Sequence, residues 1–257
     1  MKYYVIPTLK DLDKYLDLAK KFNLGFEYNE FFMPNILDDY ELLNKTLESY
    51  KSLNRINDTM HGVFFDIVLD SRDEKIRKIS EDRVEESIKI AKSLNCKGVV
   101  FHTNYITWMK DEAYKARWVK MNGDFYLSMV NKYSDIEIYV ENMFDLDPIL
   151  LRRLMEYTNN PRIKVCLDIA HASISKVEIK DWFKELGKYI GHLHINDNDK
   201  IIDMHEELGK GLIDYKKAYK YINMLDDNTS ILIEISNFDK VYNSIKYLKD
   251  GGYSDFK

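Results

Sequence analysis

The chain is poor in cysteine, proline and histidine: two, four and six of them among 257 residues. The two cysteines, Cys96 and Cys166, form no CxxC pair. That excludes a disulfide-stapled scaffold and fits a reducing, cytoplasmic setting. The few prolines and glycines form no linker, so one domain over residues 1–257 is expected. No apolar run approaches the roughly 20 residues of a membrane span. The opening MKYYVIPTLKDLDKYLDLAKK lacks the apolar core of a signal peptide. No membrane partner is expected. A net charge of −5 gives no general field for nucleic acid. The first turn, PTLKD, has no glycine, so the dinucleotide fingerprint is missing and no organic cofactor is expected.

What is present is a regular alternation. Apolar residues make up 45% of the chain, enough for a full core. Short β-rich runs alternate with amphipathic segments. The expected strands are YYVIPT (3–8), LGFEYNEF (24–31), DTMHGVFF (58–65), CKGVVFHT (96–103), IEIYVENM (136–143), IKVCLDIA (163–170), IGHLHIND (190–197) and SILIEIS (230–236). Between them lie helical segments such as LKDLDKYLDLAKKF, EDRVEESIKIAKSLN, DPILLRRLMEYTNN and YKKAYKYINML, and FDKVYNSIKYLKD closes the chain. Eight strands, each followed by a helical segment, are the signature of an α/β fold, a (β/α)8 TIM barrel. A doubly wound open sheet is the alternative.

Side chains alternate along a strand. In IEIYVENM, Ile136, Ile138 and Val140 share one face, and Tyr139 and Glu141 the other. The same parity puts Glu141, Asp168, His194 and Glu234 inside the barrel, near the C-terminal ends of strands 5 to 8. Barrel active sites are built at that end. A lone buried Glu costs several kcal/mol unless it is paired, protonated or bound to a metal. His61 and His102 end strands 3 and 4. His171 follows Asp168 by three residues, and Asp203 and His205 follow strand 7. Three of the six histidines fall between His192 and His205. That cluster would form one wall of a metal site whose other walls come from distant strands.

The pieces MHGVFFD, VVFHTNY, IYVENM, CLDIAHA, HLHINDND, DMHEELGKGLIDY and ILIEI, from residue 58 to 235, carry a resemblance. They resemble the xylose-isomerase-like TIM barrels, which include sugar phosphate isomerases and epimerases and endonuclease IV (AP endonuclease family 2). The isomerase side of the resemblance implies one divalent metal on Glu141, Asp168, His194 and Glu234. The endonuclease IV side implies three zinc ions on those four with His61, His102, His171, Asp203 and His205. Two departures stand against endonuclease IV. It reads C-I-D-T-C-H where this chain has CLDIAH (166–171), and HINDNDKIIDMH is shorter than its counterpart.

Blander readings apply elsewhere. His192 is expected to sit one layer below His194 and not to be a ligand. Cys96 and Cys166 are expected as buried thiols, Asp197 and Asp199 as turn caps, and Asp214 as a helix N-cap. Phe64 and Trp108 are read as a substrate wall; Trp118 as packing. Lys110, Arg117 and Lys120 offer part of a basic rim.

The leading expectation is a divalent-metal-dependent sugar or sugar phosphate isomerase/epimerase. Glu141 and Glu234 would move the proton while the metal, Zn or Mn first and Co, Fe or Mg after them, stabilises an enediolate. The alternative is a zinc-dependent AP endonuclease or phosphodiesterase of DNA repair. DNA is a partner only under that alternative, and its acidic loops (PNILDDYE, DLD and DND) oppose it.

Overall fold

Apolar, β-branched and aromatic residues in short runs favour extended chain over helix. The structure, a computed structural model, turns eight such runs into strands; it describes residues 1–254 and Phe256. The strands are β1 (Lys2–Val5), β2 (Gly25–Tyr28), β3 (Thr59–His61), β4 (Gly98–His102), β5 (Glu137–Glu141), β6 (Ile163–Asp168), β7 (Ile190–Ile195) and β8 (Ser230–Ile233). They make a closed barrel in sequence order, with helices between the strands. The helices are α1 (Leu12–Phe22), α2 (Pro34–Leu37), α3 (Tyr40–Lys51), α4 (Glu74–Ser93), α5 (Glu112–Lys132), α6 (Ile149–Thr158), α7 (Ile169–Ile174), α8 (Ile179–Leu186), α9 (Tyr215–Ile222) and α10 (Phe238–Asp250). Among the described residues, no helix is long and apolar enough to cross a membrane.

Every strand is shorter than the apolar pattern suggests. The run LGFEYNEF stops being strand at Tyr28, and Glu30–Phe32 is a 3-10 turn. CLDIA stops at Asp168, because α7 starts at the next residue. Polar residues past the strand ends are thereby released into loops.

Contacts concentrate in two units. In the first (residues 1–27, 142–148 and 166–257), β1 pairs in parallel with β2 and β8, and β7 with β8. Tyr4, Ile6 and Leu232 pack together there. In the second (residues 28–141 and 149–165), β3 pairs with β4 and β4 with β5, His102 standing opposite Glu141. Trp118 is buried in this unit and donates its indole N–H to Thr103 O at 3.1 Å. Cys96 and Cys166 are buried free thiols, as expected.

Candidate metal centre

The expected ligands lie at strand ends. His61, His102, Glu141 and Asp168 are the last residues of β3, β4, β5 and β6; His194 is next to last in β7, and Glu234 directly follows β8.

The second unit holds one cluster. His61 Nε2 lies 3.1 Å from His102 Nε2. Glu141 Oε2 lies 3.6 Å from the first and 3.4 Å from the second. His61 Nδ1 is 2.9 Å from Gly62 O. A carbonyl only accepts, so Nδ1 carries the proton and Nε2 presents a lone pair to the cluster. Phe64 stacks on this group, its ring centroid 4.5 Å from that of His102 and 4.1 Å from that of Phe65. Trp108 is 83% exposed, which leaves Phe64 as the half of the expected wall that touches the cluster.

The first unit holds two more clusters. In one, ligand atoms of Asp168, His194 and Glu234 lie within 4.8 Å of one another. Asp168 has a second task, as N-cap of α7: its Oδ1 accepts the His171 N–H at 2.6 Å. The Asp-x-x-His spacing is thus that of a cap and its third helical residue. Asn142 braces the same corner. Its carboxamide donates to Asp168 O at 3.0 Å and accepts the Asp168 N–H at 2.9 Å.

The other cluster is His171, Asp203 and His205. Asp203 Oδ2 lies 3.2 Å from His171 Nε2 and 3.0 Å from His205 Nε2. Both rings are pinned through Nδ1, His171 to Asn142 O at 2.8 Å and His205 to Glu234 O at 2.9 Å. His205 takes a left-handed backbone, φ 46°, which histidine tolerates better than most residues. Burial pushes the His205 imidazole down, but Glu234 and Asp203 beside it push it up to about 10. Burial pushes Asp203 up, and His171 and His205 outweigh it, holding the carboxyl well below the usual range.

The loop carrying Asp203 and His205 is fixed by Asp197. Its carboxylate accepts from Asn198 N (3.0 Å), Gly209 N (2.9 Å) and Ile213 N (3.1 Å). A Cβ at Gly211 would come within 2.3 Å of Asn198 O and Asp197 Oδ1. Asp199 accepts from Ile201 N and Ile202 N, and Asp214 caps α9. His192 Nδ1 lies 2.6 Å from Ser230 Oγ and its Nε2 3.1 Å from Glu27 Oε2. The expected basic rim is largely committed. Arg117 donates to the carbonyls of Asp70 and Ser71, and Lys120 pairs with Asp124 at 2.5 Å.

Sequence reasoning missed Glu27 and Asn142. Asn142 directly follows Glu141 in IYVENM, and Glu27 is one of two Glu in GFEYNEF.

The donor set, imidazole with carboxylate, suits zinc and neighbouring divalent ions. A sequence model of the xylose isomerase-like TIM barrel family matches residues 16–251. The chain belongs to that family. Within it, MJ1614, an uncharacterized protein of Methanocaldococcus jannaschii, is 32% identical over 187 residues, 70% of each chain. A probable endonuclease 4 of Mycoplasma mobile is 25% identical over 160 residues, 55% of this chain and 56% of the other. The crystal structure of a D-tagatose 3-epimerase-like protein shares the family fold, with TM-score 0.78 and 20% identity, covering 98% of this chain and 97% of that one. The fold is shared as well by the crystal structure of an AP endonuclease, family 2, from Brucella melitensis, with TM-score 0.67 and 14% identity, covering 97% of this chain and 98% of that one.

Proposed function

We propose that this family member is a divalent-metal-dependent phosphoester hydrolase with a centre of more than one ion. The observation that carries the reading is the state of three histidines. His61, His171 and His205 each give Nδ1–H to a backbone carbonyl and turn Nε2 toward carboxylate or imidazole neighbours. Nε2 of His171 and of His205 faces Asp203 Oδ2 at 3.0–3.2 Å, a contact that a proton between them satisfies in the metal-free chain and that a cation would satisfy in its place. Metal-binding histidines are held in this way, with the distal nitrogen donated to a carbonyl or carboxylate.

His61, His102 and Glu141 would hold one ion, and His171, Asp203 and His205 another. Asp168, His194 and Glu234 would hold a third, with Asn142 bracing Asp168. Ions so held supply Lewis acidity toward a phosphoryl oxygen and lower the pKa of water. The chain's own part is orientation: Asn142 and the α7 cap fix Asp168 and His171, and Asp197 fixes the loop of Asp203 and His205. Phe64 and Phe65 offer an apolar face to a substrate. With Arg117 and Lys120 committed, a small phosphoester fits the rim better than a long duplex.

The second reading is the sugar or sugar phosphate isomerase/epimerase. It is favoured by the engagement of Arg117 and Lys120 with other groups and needs only Glu141, Asp168, His194 and Glu234 as metal ligands. Glu141 and Glu234 would then exchange the substrate proton, and His61 and His171 would hold hydroxyls.

The deciding experiment is elemental analysis of the untreated protein, with parallel assays of bis(p-nitrophenyl) phosphate hydrolysis and of ketohexose epimerisation. Two or three ions per chain with hydrolysis lost in Glu141→Gln support the first reading. One ion per chain with epimerisation supports the second. A chain that takes up no divalent ion at all sinks both.

A further inference from the structure

His194 has a carboxylate on each side. Its Nδ1 lies 3.4 Å from Glu234 Oε1, and its Nε2 lies 3.2 Å from Glu27 Oε1. Glu27 is fully buried near the end of β2, and its other oxygen, Oε2, lies 3.1 Å from His192 Nε2. His192 Nδ1 in turn lies 2.6 Å from Ser230 Oγ. Glu27, His192, His194 and Ser230 are each 0% exposed. Hidden from water, such groups keep whatever tautomers their neighbours impose.

The two sides of the His194 ring set the roles. Nδ1 faces Glu234 Oε1, a member with His194 and Asp168 of one candidate ligand group, while Nε2 faces Glu27. A histidine that gives Nδ1 to an ion carries its proton on Nε2, and a carboxylate standing there accepts it. Glu27 Oε2 is tied to His192 Nε2, and Ser230 Oγ lies against His192 Nδ1 and Gly191 O. Cys166, His192 and His194 also lie within ligand distance of one another. His192 is occupied at both nitrogens, so that grouping is no second site.

We propose that Glu27 is a positioning residue for the metal centre: it holds His194 as the Nε2–H tautomer and commits Nδ1 to the ion, with Ser230 and His192 holding Glu27 in turn. The proposal rests on the metal reading above. Outer carboxylates of this kind fix the ring and raise its basicity as a ligand, and their loss weakens metal binding about 10–100-fold.

The test is Co²⁺ binding against a competing chelator, in wild type, Glu27→Gln and Glu27→Asp, with urea melts alongside. The expected result is that one equivalent of Co²⁺ weakens about 10–100-fold in folded Glu27→Gln. Glu27→Asp, which keeps the charge, recovers part of it. A purely structural Glu27 would lower the urea midpoint and leave Co²⁺ affinity unchanged, and that result overturns the proposal. A second measurement needs no variant: long-range ¹H–¹⁵N spectra of the zinc-loaded wild type. His194 protonated at Nε2 and bound through Nδ1 is expected, and the reverse arrangement overturns the proposal. Wild type that binds neither Co²⁺ nor Zn²⁺ refutes the metal reading itself, and this inference with it.

Discussion

The Nε2 atoms of His61 and His102 lie 3.1 Å apart. Two ligands on a tetrahedral zinc, each at about 2.0–2.1 Å, stand about 3.3 Å from each other. The distances of 3.4 and 3.6 Å to Glu141 Oε2 close a triangle of nearly the same edge. A hydrogen bond between the two rings accounts for the first distance but not for the carboxylate standing across from both. Three donors at this mutual spacing, with His61 Nδ1 anchored to a carbonyl, match the spacing that the proposed ion would need.

His102→Ala is therefore expected to lose one ion per chain and to keep the others. The substitution removes a side chain that is 7% exposed at the last residue of β4, so the fold of the variant has to be checked directly. Elemental analysis of the variant beside wild type, with circular dichroism as control, reads this out. Unchanged metal content would remove His61 and His102 from the ligand list and favour the single-ion isomerase.

The alternation of apolar runs made the barrel legible, because strand and helix periods differ and eight repeats leave few topologies. Strand parity also placed Glu141, Asp168 and His194 at the ends of their strands, where side-chain direction follows from position alone. Glu27 escaped for a physical reason. GFEYNEF has glutamates at 27 and 30, and nothing local says that the strand stops between them. Asn142 escaped because its role is to hydrogen-bond backbone atoms of a strand distant in sequence. The pairing of Asp203 with two histidines likewise depends on a loop whose shape is set by Asp197. Loops stapled by side-chain-to-backbone bonds leave no periodic trace.

The state of His205 predicts a proton exchange. With its imidazole raised to about 10, it is protonated at neutral pH in the metal-free chain. An ion on His171, Asp203 and His205 must expel that proton. Calorimetric titration of chelated protein at pH 7 in two buffers of different ionisation enthalpy should show about one proton released for that ion. His205→Ala should release none there. Stability follows the same groups. The His205 contribution is complete below pH 6.5 and fades as pH rises through about 10, whereas the Asp203 contribution is complete above 3.8 and fades in acid. The difference in Tm between chelated wild type and His205→Ala should accordingly be largest near pH 6 and vanish above pH 10. A gap that persists unchanged at pH 11 would contradict the assignment.

Asp197→Ala tests the loop. The carboxylate is fully buried and accepts three backbone N–H groups, which the substitution leaves without their acceptor. Hydrogen bonds to a charged group contribute roughly 1.5–3 kcal/mol each, and partial relaxation of the loop recovers some of it. A loss on the order of 3 kcal/mol in urea denaturation is expected, with weaker metal binding at His171, Asp203 and His205. A loss below about 0.5 kcal/mol, the level of an ordinary surface change, would show that the loop holds its shape by other means.

Glu141→Gln is expected to cost the ion of the His61 and His102 group. Glu141 is fully buried and stands 3.4–3.6 Å from two histidine nitrogens. A neutral carboxamide removes the charge that would face the ion there. A glutamine is nearly isosteric, so the barrel should melt close to the wild-type temperature. Metal analysis after dialysis against a weak chelator should then show one ion lost in Glu141→Gln, as in His61→Ala. Metal content unchanged in Glu141→Gln would take this carboxylate off the ligand list and leave the histidine pair without its third donor.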